Sequence, residues 1–276
     1  MNFDQNIIEN IQFTQLKLDF TGKIGIGATK DNLLRFFKVE NEKFVNMSEL
    51  DGHTGVITCI DFVEDGKYAV SADFNGMLIV WIVENGKIYK KFEKQLKQGS
   101  PIYDISTLLT PEGFIIFCGC EKGEIVTVDY ANNAIQNTVV CKTGEDALSQ
   151  IDVNGDFLIS STINNEIMLT PICSNKLLDT NRIFSFKKEI SDVKITRKNC
   201  FEKFYLAISF FSGDVFIYEW IKDEFREIAN FNLDGSVWGL CWAYGGFSLS
   251  ALYGEENDVK VFELNEKGVF DETNLN

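Results

Sequence analysis

The stretch Asn75-Gly76-Met77-Leu78-Ile79-Val80-Trp81, followed by Glu84-Asn85-Gly86, decides the fold. Asn-Gly suits a tight hairpin turn, the apolar run after it suits a strand packed on both faces, and the second Asn-Gly ends that strand. Five other runs repeat the pattern: Leu33-Leu34-Arg35-Phe36-Phe37, Glu124-Ile125-Val126-Thr127-Val128, Glu166-Ile167-Met168-Leu169-Thr170, Asp214-Val215-Phe216-Ile217-Tyr218 and Asp258-Val259-Lys260-Val261-Phe262. Polar pairs introduce them: Asp31-Asn32, Lys122-Gly123, Asn164-Asn165, Ser212-Gly213 and Asn257-Asp258. The run ends at 37, 81, 128, 170, 218 and 262 are roughly 42 to 48 residues apart, a period that belongs to propeller-type repeats.

Working outward, a β-rich stretch precedes the turn, as in Lys67-Tyr68-Ala69-Val70-Ser71 or Phe157-Leu158-Ile159-Ser160-Ser161. An outer strand such as Ile88-Tyr89-Lys90-Lys91-Phe92 follows the run. Each unit therefore holds four strands. Six such units in 276 residues, with only three prolines and no helical periodicity between them, predict an all-β fold: a six-bladed, WD40-type β-propeller forming a single domain. The blades fall at about 11–50, 53–97, 100–140, 145–186, 189–232 and 235–272.

Composition narrows the function. A formal charge of −15 repels phosphate backbones and anionic headgroups, which argues against direct binding of nucleic acid or a membrane surface. Met1-Asn2-Phe3-Asp4-Gln5 starts no basic-then-apolar leader, and no apolar window reaches membrane-spanning length. A cytosolic or nuclear protein is expected. The seven cysteines are odd in number and scattered through strand-like runs, so they are expected as reduced core residues. Cys118-Gly119-Cys120 puts two thiols on one face of a strand, where core packing is the expected role. The acidic tail from Val269 to Asn276 reads as a frayed end.

Within the second unit, Gly52-His53 leads through Ser71 to Trp81, which resembles the WD-repeat hydrogen-bond tetrad of His, Ser or Thr, Asp and Trp. Asn75 stands six residues before the tryptophan, where the resemblance expects Asp, so the expected structural network is His53, Ser71, Asn75 and Trp81, with its acid missing. His53 is the chain's one histidine. No nucleophile elbow, paired Cys-x-x-Cys or His-rich site accompanies it, so the chain is expected not to be an enzyme and to need no metal or cofactor.

The last unit is more specific. Val237-Trp238, Trp242, Gly246 and Leu249 stand in the pattern VWxxxWxxxGxxL, which resembles the final-blade signature of the Sec-thirteen family. That family comprises the small propeller shared by the outer COPII vesicle coat and the Y-shaped scaffold of the nuclear pore, with a sister propeller in the same pore complex. Asp19-Phe20-Thr21-Gly22 resembles the family's opening blade, and the second and third units follow in register. Gly239, where the family carries arginine, and Val56-Ile57, where it carries Val-Trp, depart from the pattern and keep the sister propeller open as a reading.

The resemblance implies an open propeller whose gap accepts a blade donated in trans by an α-helical solenoid partner, a coat protein or a nucleoporin. The chain would then be a scaffold subunit at the nuclear envelope or on the endoplasmic reticulum and COPII vesicles, held in a hetero-oligomer. The expected walls of the gap are Phe13, Leu16 and Leu18 on the first blade and Val237, Trp238, Leu240 and Trp242 on the last. The competing expectation is a closed adaptor that reads peptides on its top face, through loops near Asp51, Ser100 and Glu145.

Overall fold

A computed structural model of the chain describes residues 13–41, 43–96, 99–178, 182–199, 201–243 and 245–273. Met1 to Gln5, Cys200, Tyr244 and the last three residues of the tail lie outside the described residues. The fold is all-β and six-bladed, as the period predicts. Its internal contacts group into two compact units, Met1–Leu148 and Ser149–Asn276.

Unit 1 holds three antiparallel sheets of four strands in chain order. The first is β1 (Phe13–Leu18), β2 (Ile24–Thr29), β3 (Leu34–Glu40) and β4 (Lys43–Leu50); the second is β5 (Ile57–Phe62), β6 (Tyr68–Asp73), β7 (Met77–Glu84) and β8 (Lys87–Gln95). The third is β9 (Ile102–Thr110), β10 (Gly113–Cys120), β11 (Glu124–Ala131) and β12 (Ala134–Lys142). Ile26, Ala28, Leu34 and Phe36 of the first sheet pack against Ile57, Ile79 and Trp81 of the second. The other face of the second sheet, through Cys59, Val70, Leu78 and Val80, packs against Phe114, Ile116, Cys118 and Val128 of the third.

Unit 2 repeats the plan. Its first sheet is β13 (Leu148–Val153), β14 (Phe157–Thr162) and β15 (Glu166–Cys173), with an outer edge divided between β16 (Lys176–Leu177) and β17 (Arg182–Ser185). Then come β18 (Ile190–Ile195), β19 (Tyr205–Phe210), β20 (Asp214–Ile221) and β21 (Glu224–Asn232), and finally β22 (Val237–Trp242), β23 (Ser248–Tyr253), β24 (Asp258–Leu264) and β25 (Phe270–Thr273). Ile159, Ile167 and Leu169 pack on Val193, Leu206 and Ile208. Tyr205, Ala207 and Ile217 pack on Val237, Leu240, Leu249 and Phe262.

The six runs that reveal the period are the third strands, and each preceding turn ends on a residue of positive φ: Asn32, Gly76, Gly123, Asn165, Gly213 and Asn257. Only Gly and, at low cost, Asn sit there comfortably, which is why those two residue types punctuate the sequence.

Two regularities of the first strands were not legible in the sequence. The first is a bulge at the second residue, where the register skips Thr14, Thr58, Tyr103, Ser191 and Trp238. A bulge twists the strand and re-aims that one side chain. At Thr14 the hydroxyl donates to the Ala28 carbonyl on the neighbouring strand, Thr58 Oγ1 lies between the Ala72 carbonyl at 3.3 Å and the nearer Ile102 carbonyl of the next sheet at 2.5 Å, and Ser191 bonds Ser209 at 2.8 Å. The second regularity is a carboxylate that accepts a backbone N–H from the first strand of the following sheet. Asp61 Oδ2 accepts from Thr107, Asp152 Oδ2 from Ile195 and Asp192 Oδ2 from Leu240, at 2.9, 2.9 and 2.8 Å.

Candidate interaction surfaces

The histidine network of the second sheet is complete, and Asp73 rather than Asn75 is its acid. Ser71 and Asp73 are two residues apart on β6 and so project from the same face, where His53 reaches both. His53 Nδ1 is 3.0 Å from Asp73 Oδ2, and its Nε2 is 2.6 Å from Ser71 Oγ. Trp81 Nε1 donates to the same Oγ at 2.9 Å. Protons are consistently placed if the indole donates to Ser71, the hydroxyl to His53 Nε2, and Nδ1–H to the carboxylate. The second oxygen of Asp73 accepts the N–H groups of Asn75 and Met77, both at 2.9 Å. Asn75 belongs to the turn: its backbone joins the network, while its exposed side chain lies beside Gly55.

Ser71, His53 and Asp73 share the bonding order of a hydrolytic triad. Burial separates them from one. The three side chains are sealed from solvent, and Ser71 Oγ already accepts from the indole, so no substrate carbonyl can approach it. Burial pushes the Asp73 carboxyl up, but the His53 bond and the N–H groups of Met77 and Gly55 outweigh it and hold the group below the usual carboxylate range. Among the described residues, no cluster of three or more His, Cys, Asp or Glu is placed to hold a metal ion. No helix among the described residues is long and apolar enough to cross a membrane.

The cysteines divide by position. Cys59, Cys118 and Cys120 lie in one core cluster of unit 1, with the Cys59 and Cys118 thiols pushed up by burial. Cys173 and Cys241 are exposed, which corrects the expectation that all are core residues. The Asp19-Phe20-Thr21-Gly22 motif is the β1–β2 turn: Asp19 Oδ1 accepts the N–H groups of Lys23 and Ile24, both at 3.1 Å, and Phe20 stands in solvent.

The expected gap residues separate into two kinds. On β1, Leu16 and Leu18 are 41 % and 45 % exposed, while Phe13 lies over Gly27 and joins Phe37 and Phe44 in an aromatic cluster. On β22, Val237 and Leu240 are core residues of unit 2, and Trp242 packs with Tyr205 and Phe270 while donating its indole N–H to the Lys194 carbonyl. Those three serve the contact with the preceding sheet and are not available as an open wall. The open face of the last sheet carries Cys241, Leu252 and Val259 instead, with Leu252 and Val259 paired directly in register. The sequence missed them because β23 and β24 alternate, and the signature residues mark the opposite face.

A cavity of about 320 Å³ in unit 2 lies under β17, lined by Ile167, Phe184, Phe186, Leu206, Tyr218 and Phe225 among others. Burial, with Glu227 nearby, pushes the Tyr218 hydroxyl up to about 12.

Residues 44–81 match the family model of the WD domain, G-beta repeat; that span takes in His53, Ser71, Asp73 and Trp81. A stretch of 66 residues, 24% of the chain, is 33% identical to part of the "66 kDa stress protein" of Physarum polycephalum, and it spans only 11% of that protein. The completed tetrad and the six sheets, five of four strands and one whose outer edge is split in two, fit the WD-repeat family, whose propellers are typically non-catalytic and suggest a protein-interaction scaffold.

Proposed function

We propose that this chain is a non-catalytic scaffold subunit of a membrane-coating assembly, of the kind formed by the nuclear-pore Y-complex and the COPII coat, and that an α-helical partner completes it by adding a blade. The observation that carries this reading is the exposed apolar face of the last sheet, where Leu252 and Val259 lie side by side. Interior blades of a propeller bury both faces, so a sheet with one bare face is suited to pack against a further blade supplied by another chain. Leu16 and Leu18 on β1 add exposed apolar surface of the same character. The final-blade pattern from Val237 to Leu249 supports the choice of assembly, and the nuclear envelope or the endoplasmic reticulum would be the place of action.

Co-expression with the helical partner, found by native-tag purification and mass spectrometry, tests it. The complex should melt well above the isolated chain, and Leu252→Asp with Val259→Asp should abolish assembly while the isolated chain still folds. Failure to recover any coat or pore scaffold protein, or assembly indifferent to the double change, would overturn the reading.

A further inference from the structure

Of the five bulged positions, three hold a small hydroxyl that bonds across to the neighbouring strand, and two hold an aromatic. At Trp238 the bulge turns the indole out of the sheet, and its N–H donates to the Gly254 carbonyl at 2.7 Å. The ring then meets Phe211 of the preceding sheet edge to face, with centroids 5.9 Å apart and planes at 68°. Both remain open to solvent, Trp238 by 50 % and Phe211 by 38 %. A ring pinned by its N–H and braced by a second ring loses little freedom on binding, and half of its surface is still free to stack.

The two turns that flank Trp238 carry charges of one sign. Gly254, which anchors the indole, opens the turn Glu255-Glu256-Asn257-Asp258, and Asp234 in the turn before β22 lies beside Gly254. All four carboxylates are exposed, and none forms an ion pair among the described residues. Lys260, two residues past Asp258, holds Glu272 at 2.7 Å, and Lys188, next to the Glu189 whose carbonyl accepts the Phe211 N–H, holds Asp214 at 2.6 Å. The equivalent ledge of unit 1, Phe74 against Tyr103 at 6.4 Å, faces the turn Glu121-Lys122-Gly123-Glu124, where a lysine stands between the two acids and Glu121 is bonded to Tyr103 itself.

We infer that the Trp238–Phe211 ledge docks a basic peptide segment, with an arginine guanidinium stacked on the Trp238 face and its neighbours met by Glu255, Glu256, Asp258 and Asp234. Tryptophan is the best aromatic partner for a cation, and an unneutralised acidic rim supplies both attraction and orientation. A second copy of this chain, at −15, is the wrong partner. The ledge leans toward the preceding sheet, on the side away from Leu252 and Val259, so this inference stands independently of the donated blade.

The test titrates the full chain, at 0.15 M salt, with an amidated eight-residue peptide of alternating Gly and Arg, against the same peptide with citrulline in place of arginine. The arginine peptide should bind and the citrulline peptide should not. Trp238→Ala should weaken binding about tenfold or more, Trp238→Phe by less, and Glu255→Gln with Glu256→Gln by a similar factor to Trp238→Ala. Those glutamines sit on an exposed turn and leave the fold intact, so they keep the test valid if Trp238→Ala unfolds. Phe74→Ala should change nothing. No binding, or binding indifferent to Trp238 or to Glu255 and Glu256, would overturn the inference.

Discussion

Asp73 Oδ2 and His53 Nδ1 face each other at 3.0 Å with both side chains shut off from water. Removing the carboxylate strands the neutral imidazole N–H and the amides that bond it, and an unsatisfied buried donor costs about 1–3 kcal/mol. Asp73→Ala should therefore lower stability by about that much, whereas Asn75→Ala should stay within about 0.5 kcal/mol. Trp81→Phe keeps most of the ring but loses the bond to Ser71, for about 1–2 kcal/mol. Chemical denaturation of the three variants checks the order.

Acid should act through the same aspartate. A carboxyl held below its unfolded value contributes stability that is fully present above the unfolded pKa and is lost as pH falls through the folded one. The wild-type chain should lose stability below about pH 4. In Asp73→Asn that limb should be shallower, read as the change of midpoint with pH.

Asp192 predicts a local effect. In Asp192→Ala the Leu240 N–H stays buried without its acceptor, at a cost of about 1–3 kcal/mol, while Asp192→Asn retains an oxygen and should cost less. Hydrogen exchange at Leu240 should accelerate in the alanine variant, and exchange in unit 1 should not.

Gly27 predicts a coupling. A Cβ added there would overlap the Phe13 ring, so Gly27→Ala should push Phe13 off β2 and loosen the edge strand. Phe13→Ala removes the clash, and the double variant should be more stable than the sum of the single losses by about 0.5–3 kcal/mol. Additive losses would contradict the packing of Phe13 over Gly27.

Tyr218 predicts an alkaline limb. Its hydroxyl ionises near 12 in the fold and near 10 in the unfolded chain, so the unfolded state releases its proton first and stability falls as pH rises through that interval. Tyr218→Phe should flatten part of this limb, measured by melting between about pH 9 and 11.

The period of the third strands was legible because hairpin turns demand Gly or Asn at positive φ, and that demand is written locally. The acid of the tetrad was not, because counting back from Trp81 assumes a fixed spacing, whereas the bond is set by which residues of β6 share the face His53 reaches. The exposed face of the last sheet was hidden for a related reason. Trp242 and Leu252 are both large and apolar, and only the pairing of β22 with β23 separates the inward face from the outward one. Trp238 looked like a wall of the cleft until the bulge took it out of alternation.

Asp61, Asp152 and Asp192 each hold the next sheet by an amide proton, and Thr107, Ile195 and Leu240 supply it. Every amino acid except proline can offer that proton. The receiving strand can thus drift to nearly any sequence and still be caught at the same height, which lets the sheets joined in this way lose almost all mutual likeness while their spacing survives.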